Sequence, residues 1–83
     1  MRTERQITRD SPDYERVSAI LNAEGIRMRV PDERAWWIEG DPFIPRPHLE
    51  VEVFLIDAAG QPIITKDGND IEIAPSRVQI MVD

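Results

Sequence analysis

The stretch from Leu49 to Ile73 constrains the fold of this chain more than any other. Leu49-Glu50-Val51-Glu52-Val53 alternates apolar and acidic residues, and Phe54-Leu55-Ile56 is apolar on both sides. A glycine-containing turn, Ala58-Ala59-Gly60, leads to a second apolar run, and Lys66-Asp67-Gly68-Asn69-Asp70 leads to Ile71-Glu72-Ile73. A two-residue period broken by such turns is the signature of strands joined by tight hairpins. Asp57 to Gly60 suits a three-residue loop with Gly60 left-handed, which would pair Leu55 with Ile63 and Phe54 with Ile64. Ile71–Ala74 reads as a short strand, Pro75-Ser76 as a break, and Arg77–Val82 as the last strand, with Val78, Ile80 and Val82 on one side. That strand, ending at Asp83, would leave a sheet edge open.

Ahead of the hairpins, Ser11-Pro12-Asp13 predicts a helix start capped by Ser11, and Gly25 predicts its stop. Tyr14, Val17, Ile20 and Leu21 share a stripe about 120° wide, so a helix over Pro12–Glu24 covers one sheet face. Ile26-Arg27-Met28-Arg29-Val30 alternates and reads as a strand, Pro31 to Arg34 as a turn, and Ala35 to Glu39 as another strand. Adjacent tryptophans on a strand point to opposite faces. With Trp36 and Ile38 inward, Trp37 and Glu39 would share the outer face with Arg27 and Arg29, Trp37 lying opposite Arg29. A turn one residue shorter would reverse the faces. The prolines of 42–47 exclude a helix and predict an extended crossover. Residues 1–10 read as either a loose tail or a short edge strand.

The 83 residues make one domain. Area scaling gives about 5,000 Å² folded against about 14,000 Å² unfolded, enough to bury one thin core. The expected fold is α+β: one N-terminal helix packed on a mostly antiparallel meander of five or six strands. With no cysteine, disulfides and thiolate chemistry are excluded. The absence of a signal sequence or a membrane-length apolar run predicts a cytoplasmic protein.

The net charge of −6 is uneven. Residues 1–48 carry eight Arg and nine acids, a balance of −1, whereas residues 49–83 carry Lys66, Arg77 and seven acids, a balance of −5. Such acidity disfavours direct contact with nucleic acid and favours a basic partner.

Candidate chemistry is sparse. Asp67-Gly68-Asn69-Asp70 lacks the alternating ligands of a calcium loop and reads as a turn, so no metal or cofactor is expected. His48 is the one candidate base near neutral pH, with Glu50 two residues away; a surface histidine at a strand start is the simpler reading.

Protein recognition has more support. Arg29 and Trp37 would form an aromatic–arginine platform, and Phe54, Ile56 and Ile64 give the central hairpin an apolar second face that one helix cannot cover. The expectation is a non-catalytic interaction module of the small bacterial or phage accessory or inhibitor type. Its partner would be another protein with a basic surface, or a second copy in a homodimer. One alternative is an acidic mimic of nucleic acid acting through Glu50, Glu52, Asp67, Asp70 and Glu72. Another is a small hydrolase using His48 and Glu50.

Overall fold

The computed structural model describes residues 1–80. Among them are four strands and one α-helix: β1 (Thr3–Gln6), α1 (Tyr14–Ala23), β2 (Ala35–Glu39), β3 (His48–Phe54) and β4 (Ile73–Gln79). All neighbours are antiparallel and the sheet order is β1-β2-β3-β4. The fold is therefore α+β with a four-stranded meander rather than five or six strands, and a strand precedes the helix. Residues 1–10 contribute that extra edge strand, closed by Ile7 donating to the Ala35 carbonyl at 2.8 Å.

Helix α1 buries Val17 and Leu21 and packs Tyr14 and Ile20 against the sheet, the stripe expected from their spacing. It begins later than Pro12, and Ser11 is not its cap. The Ser11 hydroxyl instead accepts the Thr8 N–H at 2.9 Å, which tightens the preceding turn. Asp13 occupies the cap position, with its carboxylate held by both terminal nitrogens of Arg5 at 3.1 and 2.7 Å. At the other end Gly25, at φ 74, lets Ile26 donate to Leu21 and Gly25 to Asn22, the paired bonds of a Schellman turn.

That turn also explains why Ile26–Val30 is not a strand. Ile26 stays in the right-handed region, and Arg27–Arg29 forms a single 3₁₀ turn. Positions 26 and 30 face inward in a helical turn as well as in a strand. Met28 separates the two: a strand would bury it, and it is 94% exposed. The expected pairing of Arg27 and Arg29 with Glu39 and Trp37 goes with it.

The face of the sheet under α1 carries Ile7, Ala35, Leu49, Val51, Val53, Val78 and Ile80. Ile38 is fully buried yet lies outside that cluster, on the opposite face beside His48. The proline-rich crossover returns over this side, where the Arg46 carbonyl meets the His48 ring.

β4 runs unbroken through Pro75, where a break was expected. Glu52 directs its N–H to Arg34 on the β2 side, so the Glu52–Pro75 pair exchanges no backbone bonds. The N–H that proline lacks would have pointed to the open edge, where no ladder bond is lost. Val82 and Asp83 lie outside the described residues.

Beyond Phe54 the chain branches. Leu55 donates to Glu72 at 2.8 Å, Ile63 donates to Leu55 at 3.1 Å, and Glu72 donates to Ile63 at 2.7 Å. From this three-way junction spring two short hairpins, each pinned by a single bridge, Ile56 with Pro62 and Ile64 with Ile71. Leu55 faces Ile63 as expected, but Phe54 pairs with Ile73 rather than Ile64, because β4 reaches β3 first. Asp57 accepts from Ala59 and Gln61, and Gly60 takes φ 81, as the loop chemistry predicts.

Candidate interaction surface

The cloverleaf of residues 55–72 places apolar side chains in solvent. Ile56, Ile64 and Ile63 are 43%, 55% and 38% exposed, and Ile73 at its root is 40% exposed. Phe54 is half-buried and shares a shallow recess with Ile64 and Ile71. Among the described residues, α1 packs on a core cluster that includes none of these side chains. Of the expected apolar residues, the structure thus brings Phe54 and Ile64 to one recess and sets Ile56 on the neighbouring hairpin.

Trp37 and Arg29 belong elsewhere. Trp37 is half-buried against the core under α1, and its indole N–H donates to Glu39 at 3.0 Å. The cations over its ring are Arg5 on β1 and Arg16 on α1, at 5.6 and 5.5 Å. The faces are thus reversed from the expected ones: Trp37 points to the helix side, while Trp36 is half-buried on the other face. Arg29, in the 3₁₀ turn, is not its neighbour across a strand pair.

The acidic residues are also dispersed. Glu50 accepts from Arg2 at 2.8 Å and Glu52 from Arg34 at 3.3 Å. Asp67 is tied to its own turn by the Thr65 hydroxyl and the Asn69 N–H, which hold its carboxyl below the usual range. Asp70 is exposed at the same hairpin and Glu72 is half-buried at the junction. Compared with known proteins, the chain matches no family model, no curated protein and no solved structure.

His48 is not the surface histidine expected from its place at a strand start. It is 1% exposed, because the crossover folds back over it. Its ring joins a cluster with Asp41, Glu50 and Arg2 on the face away from α1. The Arg2 guanidinium bonds Asp41, Glu50 and Glu4 together. Asp41 also accepts the N–H groups of Phe43 and Ile44; those bonds and Arg2 hold its carboxyl below its ordinary value. Burial pushes Glu50 up, but the bonds from His48 and Arg2 outweigh it and the net shift is downward. The two-residue spacing of His48 and Glu50 on a strand pairs those two, whereas no motif links Arg2 and Asp41 to them.

Proposed function

We propose that the chain is a non-catalytic module that binds another protein through the cloverleaf of residues 55–72. The observation that carries this reading is the group of exposed isoleucines, Ile56, Ile63, Ile64 and Ile73, which the chain's own helix does not cover. Several large apolar side chains left exposed along one short segment are a common mark of a protein contact. The same segment carries Asp57, Asp67, Asp70 and Glu72 against Lys66. Two such surfaces facing each other would bring like charges together, so a homodimer through this patch is disfavoured. A partner with an apolar centre and a basic rim fits, as for a small accessory or inhibitor protein.

The mimic reading draws less support, since Glu50 and Glu52 are paired with Arg2 and Arg34 within the chain and Asp67 is bonded into its own turn. The hydrolase reading has to contend with a histidine whose ring is sealed from substrate. The test is affinity capture from the native host with wild-type bait and an Ile63→Asp/Ile64→Asp double variant of unchanged fold. A partner retained by the first and held more than tenfold less by the second is expected, given the usual weight of central apolar contacts. Equal capture by both baits would remove the proposal.

A further inference from the structure

The buried His48 ring meets an acceptor at both nitrogens. Nδ1 lies 3.4 Å from the Arg46 carbonyl, and Nε2 lies 3.4 Å from Glu50 Oε1. A neutral imidazole has one N–H. With the proton on Nδ1, Nε2 turns its lone pair towards the Glu50 carboxylate and a cation between them would join the two; with the proton on Nε2, the ring donates to Glu50 directly. Both contacts are longer than the about 2.7–2.9 Å of a charge-assisted N–H···O bond. Two ligands each about 2.0–2.1 Å from a tetrahedral metal ion stand about 3.4 Å apart. Asp41, 8% exposed, supplies a third oxygen, and one ligand atom from each of Asp41, His48 and Glu50 lies within 4.8 Å of the others.

We propose that Asp41, His48 and Glu50 form a structural site for a divalent transition metal of the zinc class, tying the crossover to β3. One imidazole and two carboxylates suit zinc, cobalt or manganese, and the lack of thiolate disfavours copper(I). A backbone carbonyl beside the second nitrogen, as Arg46 provides at 3.4 Å, is a usual outer partner of such a ligand. The fourth position falls to water. Arg2 is the competitor. Its guanidinium reaches both Asp41 and Glu50 from a side chain one-third exposed, so it is able to swing out as the ion enters. Two carboxylate charges are matched outright by a divalent ion and only half by arginine. The other charged groups facing the site are Glu4, bonded to Arg2, and Arg77, 3.9 Å from Glu50.

The test is calorimetric titration of the chelator-treated 83-residue chain with zinc chloride, and cobalt(II) absorption to report coordination. One ion per chain is expected for wild type, with tenfold tighter binding in Arg2→Ala and at least tenfold weaker binding in Glu50→Gln. His48→Gln should also lose the ion; if it fails to fold, Glu50→Gln decides alone. At zinc a hundredfold above Kd, the wild-type Tm should rise by roughly 10–20 °C. The proposal is overturned if neither wild type nor Arg2→Ala binds zinc. It is equally overturned if Glu50→Gln binds as wild type does, or if Arg2→Ala binds more weakly.

Discussion

Trp37 is held by Arg5 on β1, Arg16 on α1 and the core beneath the helix. Trp37→Ala should therefore cost about 2–3 kcal/mol and lower Tm by roughly 10–20 °C, less than for a wholly buried tryptophan. Urea and thermal unfolding followed by circular dichroism would check this; an unchanged midpoint would show that the packing contributes nothing. A glycine pair makes a second comparison. Gly25 and Gly40 both have positive φ, but a Cβ on Gly25 meets open space, whereas one on Gly40 would lie 2.2 Å from the Met1 carbonyl oxygen. Gly25→Ala should cost about 1 kcal/mol for its conformation alone. Gly40→Ala should cost clearly more, because the strand start carrying Arg2 must move. The rank order from denaturation is the test.

Carboxylates act at the scale of elements. Asp13 is bonded by Arg5 at the start of α1, and Asp41 by the Phe43 N–H in the crossover. Both lie below the ordinary aspartate value of 3.8, and Glu50 lies below the glutamate value of 4.5. A carboxyl lowered in the folded state stabilises above its unfolded value and loses that contribution as pH falls through the folded one. Tm should be level from pH 8 to about 5 and fall below about pH 4.5, as calorimetry across pH would show. β4 gives a prediction of another kind. Pro75 leaves a gap in the donors of an open edge, a common guard against strand addition. Pro75→Thr fills it, so self-association should increase in sedimentation velocity with little change in Tm.

For the whole molecule, the accessible surface is 6161 Å², against about 5,100 Å² for a compact protein of this mass. The excess agrees with a core confined to the sheet and α1, and with a cloverleaf that packs little against either. Ile64→Ser should then change stability by less than about 0.5 kcal/mol, as surface substitutions do. Amides of residues 56–71 should exchange with solvent faster than those of β2 and β3, measured by hydrogen exchange.

Features set within a few residues could be read along the chain: the stripe of α1, its stop at Gly25, β2, and the loops at Asp57–Gly60 and Lys66–Asp70. Each follows from local sterics, capping or hairpin chemistry, which neighbouring residues decide among themselves. Tertiary contact decided the remainder. Ile26–Val30 suits two conformations over five residues, and the Schellman turn selected one of them. β1 exists because β2 has an edge to pair with, and Pro75 is tolerated because its strand lies at the rim. His48 is buried, and Arg2 meets Asp41 and Glu50, because an antiparallel sheet aligns residues distant in sequence, a register that no local pattern records.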